Sequence, residues 1–310
     1  MRYDDFRRSD DVEDRRGDDG GGGGGGGFGL PMGGGGLGIG TVIVLGLIGY
    51  AFGIDPRILI GGAEILTGGG QAPSYQTDRQ SSTAKRGAPT DEMGSMISGV
   101  LGEIDDRWSE IFKASGQSYT GPKIVLFRNA TNGGRCGMAQ SAMGPFYCPP
   151  DRTIFLDTGF FREVETRFHG CSGNACKFTA AYIIAHEAGH HIQNLLGIIP
   201  RVTRLQQQAG SKAESNALQV KVELQADCLS GVWVNREEKK RPGFLEAGDI
   251  DAALTTASAI GDDTLQRQAT GRVVPDSFTH GSAEQRKRWF MTGYQRGTVD
   301  ACNTFGSGSL

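Results

Sequence analysis

The chain has 310 residues, 50 of them glycine, and a formal net charge of −3. Glycine crowds near the N-terminus, so the folded part is shorter than the total length. Residues 1–36 hold five Arg and eight acidic residues, which leaves 27 of each sign in residues 37–310. A nucleic-acid binder clusters Lys and Arg on one face. Here the densest charged run, Glu237 to Arg241, mixes both signs, and nucleic acid is discounted as a partner.

Residues 1–36 begin charged, without an apolar period, and continue as almost pure glycine, a composition that cannot offset its ordering entropy by burial. They read as a disordered tail. Residues 37–54, LGIGTVIVLGLIGYAFGI, hold no charge and are long enough to cross a roughly 30 Å hydrocarbon layer. They are expected to form a single transmembrane helix, with the lipid bilayer as partner. A cleaved signal peptide fits less well, because its basic region would be too long. Residues 55–89 read as a flexible linker rich in Gly, Ser, Thr and Gln, and residues 90–310 as the catalytic domain. Gly49 and Gly53 form a GxxxG spacing that is weak support for dimerisation, so the oligomeric state is not legible.

All six Cys lie beyond residue 130, and two pairs are close in sequence, Cys136 with Cys148 and Cys171 with Cys176. Disulfides are expected, which calls for an oxidising compartment. That orients the expected anchor with its N-terminus cytoplasmic and the domain after it extracytoplasmic. Cys228 and Cys302 are left open between pairing and free thiols.

Within the expected domain, Met93, Met96, Ile97, Val100, Leu101, Ile104, Trp108 and Ile111 recur at helical spacing and predict a helix over 91–114. Short β-type runs follow at 123–127 and 153–156, separated by a glycine-containing loop, and a small antiparallel sheet is expected. Helices are expected over 158–168, 177–195, 212–239, 248–269 and 282–296, the last opening with Ser282 and Gln285 as a capping box. The fold class is α+β, mostly helical.

The helix containing IIAHEAGHHIQ carries the strongest chemical pattern, His186-Glu187-Ala188-Gly189-His190. At 100° per residue the two histidines differ by about 40°, so both rings leave one face a turn apart and can grip one tetrahedral cation. Glu187 points to the side, where a general base for water attack belongs. Histidines buried for structure alone are the bland alternative. Three of the five His crowd this apolar helix, and burying them without a metal or charge partner would be costly. His191 faces elsewhere and is taken not as a ligand but as a residue that supports the ligands or the structure, and His169 as a loop residue.

A third ligand must leave room for water. A third histidine is excluded, because Gln193 and Leu196 stand where that pattern needs Gly and His. A carboxylate is therefore expected, and KVELQADCLSGVW supplies Glu223 and Asp227 one turn apart on one helix face. Glu223 is assigned as the ligand and Asp227 as the acceptor of a ligand histidine's other ring proton; Glu214 is held in reserve. His280, in the turn before the capped helix, is a candidate donor to a tetrahedral oxyanion, as is Tyr147. The run from Tyr147 to Leu156 is a candidate edge strand for an extended peptide.

These residues resemble the bacterial neutral zinc metallopeptidase family in AHEAGHHIQ at 185–193, ELQADCLSGVW at 223–233, HGSAEQR at 280–286 and VEDRRG at 12–17. The wider likeness is to thermolysin-like peptidases with a Glu third ligand. The resemblance implies a zincin fold, one catalytic Zn2+ and hydrolysis of proteins or peptides. Two rival functions are a zincin-like scaffold without turnover and a zinc amidase acting on cell-wall peptides.

Overall fold

The computed structural model describes residues 1–17, 85–86, 89–306 and 308. Its sheet does not begin in the expected domain. Strand β1 (Val12–Asp14) lies in the segment read as a disordered tail, and β2 (Lys85–Arg86) in the segment read as linker. They join β3 (Lys123–Phe127), β7 (Thr153–Asp157) and β6 (Phe146–Cys148) in the order β2-β1-β3-β7-β6. A separate hairpin pairs β4 (Ala130–Asn132) with β5 (Met138–Gln140).

The expectation of a small antiparallel sheet is corrected at its centre. β1 runs parallel to β3 and β3 parallel to β7, whereas β2 and β6 pair antiparallel at the edges. KIVLF and TIFLD are buried over almost their whole length. Such continuous apolar runs are typical of parallel strands covered on both faces, and the segment between them returns the chain to the same end of the sheet.

Residues 1–17 are ordered and packed against the body, which overturns the disordered reading for this part of the tail. Tyr3, Phe6 and Val12 belong to the main hydrophobic core. The surrounding charges are paired: Arg7 with Asp106, Arg16 with Asp14 and Asp91. The backbone N–H of Arg7 donates to buried Glu103 (3.1 Å), and that of Ser9 to the Ser98 carbonyl (3.0 Å). The segment lies so close to α1 (Glu92–Ala114) that a Cβ on Gly102 would collide with the Arg7 carbonyl; only glycine admits the strap there. Composition pointed the other way because the apolar residues are few and aperiodic.

The transmembrane helix expected over 37–54 lies outside the described residues. Among those described, no helix is long and apolar enough to cross a membrane. The sheet supplies a topological objection as well. β1 precedes residues 37–54 and β2 and β3 follow them, yet all three are hydrogen-bonded neighbours. A single crossing would put these strands on opposite faces of a bilayer, so the one-helix anchor with its tail and body on different sides is withdrawn.

The helical half is built from α2 (Thr158–Thr166), α3 (Ala175–Leu195), α4 (Ile198–Gln208), α5 (Lys212–Lys240), α6 (Asp249–Ala259), α7 (Asp262–Thr270) and α8 (Ala283–Arg296). α1 starts on an Asp91 cap and α5 on a Ser211 cap, and α8 carries the expected Ser282/Gln285 capping box. α4 was not expected, and the span 248–269 is two helices broken at Ile260 and Gly261. α5 packs against both α3 and α8, around Trp233, with Tyr182 of α3 meeting Phe290 of α8 edge to face.

Three disulfides staple this half and the sheet loop: Cys136–Cys148, Cys171–Cys176 and Cys228–Cys302. The third closes the pair that sequence left open and ties the C-terminal segment to the middle of α5 across 74 residues. Chain-entropy arguments put such a closure at about 4 kcal/mol. Replacing Cys228 and Cys302 together by serine is expected to lower the unfolding free energy by that order, read from denaturant midpoints at constant slope. A change below about 1 kcal/mol would show that this bridge does not constrain the chain.

Candidate metal centre

α3 and α5 cross where both carry small residues. A Cβ on Gly189 would meet the Ala226 carbonyl at 3.0 Å and its Cα at 3.1 Å, so glycine sets the closest approach of the two helices. One turn either way, each helix presents its polar side chains to the other. His186 and His190 leave α3 on the same face, with ring centroids 4.9 Å apart. From α5, Glu223 Oε2 stands 3.2 Å from His186 Nε2 and 3.5 Å from His190 Nε2. One ligating atom from each of His186, His190 and Glu223 fits within 4.8 Å of the others. The structure thus brings together the three residues expected as ligands.

The remaining atoms of these side chains are held from behind. Glu223 Oε1 accepts from Gln219 Nε2 at 2.8 Å, leaving Oε2 toward the rings. His186 Nδ1 is 2.9 Å from Asp227 Oδ1, the contact expected of Asp227. His190 Nδ1 is 2.8 Å from Gln193 Oε1. Two imidazoles with Nδ1 engaged and Nε2 turned inward, together with one carboxylate oxygen, match the donor set zinc takes in catalytic sites.

Electrostatics favour positive charge at this point. Burial disfavours a charged His186, but Asp227 and Glu223 outweigh it and push the ring up to about 10. His190 is raised as well, burial again being overcome by Glu223. For Glu223 burial acts upward, yet His190 and His186 hold it well below the usual carboxylate range. A cation taking the place of the ring protons meets the same field.

Asp227 is fully buried and saturated with donors. The Tyr182 hydroxyl donates at 2.7 Å, Arg286 Nε at 2.8 Å and Arg286 Nη2 at 2.9 Å, in addition to the His186 contact. The bidentate guanidinium neutralises a carboxylate that burial alone would make costly. Arg286, from α8, was missed as a site residue although it closes the HGSAEQR motif, because nothing in that motif says which helix face meets α5.

Glu187 is buried, and burial raises its carboxyl, opposed by the adjacent His190 and His186. His280 is close enough to influence both Glu187 and Glu223. Its Nδ1 lies 3.2 Å from Asp262 Oδ1, and Asp262 Oδ2 accepts the backbone N–H groups of Thr279, His280 and Gly281 at 2.7, 2.6 and 2.9 Å. Asp262, the first residue of α7, therefore shapes the turn that carries His280. Sequence reasoning missed it because the partners are 18 residues apart with no shared motif.

Other expectations fall away from the centre. Glu214 is exposed in the first turn of α5, where its carboxylate accepts the Gly210 N–H at 2.8 Å, so it is a capping residue and no reserve ligand. Tyr147 does not point at the metal ligands: its hydroxyl is 2.9 Å from His191 Nδ1 and accepts from Asn194 at 3.0 Å. His191 Nε2 donates to the Thr120 carbonyl at 2.7 Å, and burial lowers the ring to about 4, which gives the structural role expected of it. Of the run from Tyr147 to Leu156, only β6 is an edge of the sheet; β7 is interior.

The chain is 45% identical over 307 residues to a protein of Escherichia coli K12 described as Uncharacterized protein YpfJ, with 99% of each chain covered. It is 43% identical over 215 residues to Uncharacterized protein Rv2575 of Mycobacterium tuberculosis H37Rv, covering 67% of this chain and 69% of that one. No solved structure matches it. The family model described as "Putative neutral zinc metallopeptidase" matches residues 1–305, so the strand at residues 12–14, the paired helices and the His280 turn all fall within it, and this chain belongs to that family.

Proposed function

We propose that the chain is a zinc-dependent peptidase that hydrolyses peptide bonds with His186, His190 and Glu223 as metal ligands and Glu187 as general base. The observation that carries this reading is the convergence of two imidazoles and one distant carboxylate within 4.8 Å, beside a second buried carboxyl, that of Glu187. Zinc bound there supplies Lewis-acid polarisation of a carbonyl and activation of water. Glu187, next to the ligands and not among them, takes the proton from the attacking water and delivers it to the leaving amine.

His280 is assigned as the donor to the tetrahedral oxyanion. With Nδ1 turned to Asp262 Oδ1, the ring is held as a donor on that side and its charge is favoured: burial lowers the pKa, but Asp262 and Glu223 raise it further. Tyr147 is not given this role. An extended protein or peptide is assigned to the edge strand β6, which pairs with β7 on one side and is tied to α3 through Tyr147 and His191. Three disulfides and no free cysteine support a site of action outside the cytosol.

The test combines metal analysis with cleavage of an unstructured protein. Wild type is expected to carry one zinc per chain and to cleave. Glu223→Ala is expected to lose zinc affinity by more than the roughly 10–100-fold that removal of an outer partner costs, and to lose cleavage with it. Zinc uptake without cleavage of any protein or peptide would leave a scaffold, and Glu223→Ala with undiminished zinc would remove the proposed centre.

A further inference from the structure

The two ligand histidines are not held alike. His186 leans on a carboxylate, Asp227, whereas His190 leans on a neutral amide, Gln193, three residues along α3. Gln193 is completely buried and fully engaged: its Nε2 is 2.7 Å from the Val222 carbonyl and 3.0 Å from Gln225 Oε1. Gln225, also buried, places its own Nε2 2.9 Å from the carbonyl of Cys302. Cys302 is fixed by its disulfide to Cys228, and two residues later Thr304 donates to the Lys221 carbonyl at 2.7 Å.

The direction of this chain follows from its ends. Backbone carbonyls only accept, so the groups facing Val222 and Cys302 are the NH2 ends of the two amides. Gln193 must then turn its oxygen to His190, and an amide oxygen accepts only. His190 Nδ1 therefore carries a hydrogen whatever the state of the rest of the ring. The nitrogen left to a cation is Nε2, the one facing Glu223 Oε2. Reversing the tautomer would set Nδ1 lone pair against Oε1, or force both amides to turn and oppose two carbonyls with oxygens.

We infer that Gln193 is the positioning residue for His190, and that the C-terminal segment at Cys302, acting through Gln225, is a working part of the metal site. This rests on the zinc peptidase reading. Neither glutamine touches the reacting atoms; they fix which ring nitrogen meets the metal and at what angle. Gln193 ends the motif at a completely buried position, where its polar end is occupied by His190, Val222 and Gln225.

The experiment uses the whole chain loaded with zinc, with histidine labelled by 15N, together with chelator competition for zinc affinity. Wild type is expected to show His190 ligated through Nε2, with a slowly exchanging, hydrogen-bonded proton on Nδ1. Gln193→Leu is expected to lose that proton signature and to bind zinc roughly 10–100-fold more weakly. Gln193→Glu keeps an acceptor oxygen toward Nδ1 but sets its other oxygen against the Val222 carbonyl and Gln225 Oε1, so the folded variant is expected to keep the Nδ1 proton at a cost in stability. Ligation of His190 through Nδ1 overturns the inference on the wild-type spectrum alone, even if a variant fails to fold. Wild-type zinc affinity in Gln193→Leu, or loss of the Nδ1 proton in folded Gln193→Glu, overturns it too while leaving the peptidase reading standing. A wild-type chain that takes up no zinc overturns both.

Discussion

Glu187→Gln is expected to reduce peptide cleavage by about 10²–10⁴-fold, the usual contribution of a positioned general base, while zinc stays bound at the wild-type ratio. The side chain is close to His186 and His190 but makes none of the hydrogen bonds that orient them; Asp227 and Gln193 do that. Glutamine matches glutamate in shape, so the buried pocket is not emptied, and it cannot take a proton from water at neutral pH. Measuring kcat, KM and zinc content side by side separates chemistry from metal loading: a fall in kcat with KM and zinc unchanged is the outcome for a base used in the chemical step. Cleavage that persists within a few-fold of wild type would remove Glu187 from the mechanism.

Deleting residues 2–17 is expected to abolish the cooperative thermal transition of the domain. β1 supplies backbone partners to β3, with Ile124 N–H donating to the Asp11 carbonyl at 2.9 Å and Arg15 N–H to the Leu126 carbonyl at 2.8 Å. Without it, a buried strand acquires a raw edge, and the core loses Tyr3, Phe6 and Val12. Phe6 packs against Phe244, its ring beneath the Arg241 guanidinium at 5.5 Å. Phe6→Ala alone should cost about 3–5 kcal/mol, read from chemical denaturation. If the truncated chain melted within a few degrees of the full one, the segment would be a surface attachment and not a strand of the core.

The candidate metal centre was legible because each half of it obeys a local rule. Helical geometry alone places His186 above His190, and Glu223 above Asp227, since residues four apart share a face. With Gln193 and Leu196 standing where a third-histidine pattern needs Gly and His, a carboxylate is then the expected third ligand. Arg286, Asp262, Gln193 and Gln219 were not legible in the same way. Arg286 and Asp262 act across gaps between elements, whereas Gln193 and Gln219 stand three and four residues from the side chains they hold on the same helix; whether any of the four turns to a partner or to solvent is set by packing. Tyr147 and Glu214 show the converse: chemically suitable residues whose positions point them to other tasks, one at His191 and one at a helix cap.

Local pattern also established most helices, the two principal strands, the capping box on α8 and two of the disulfides. It failed on residues 1–17, where composition describes how little apolar surface a segment brings but not how much a waiting groove covers. It failed on strand direction, because KIVLF and TIFLD read alike in parallel and antiparallel pairs. The single membrane crossing fell for a related reason. Hydropathy weighs a segment alone, whereas β1 shares hydrogen bonds with strands on the other side of that segment. What residues within a few turns of each other must do was written in the chain order. Which way Gln193 turns toward His190, which cation balances Asp227 and which strand completes the sheet were settled by contacts between residues far apart, where only assembled packing brings the partners together.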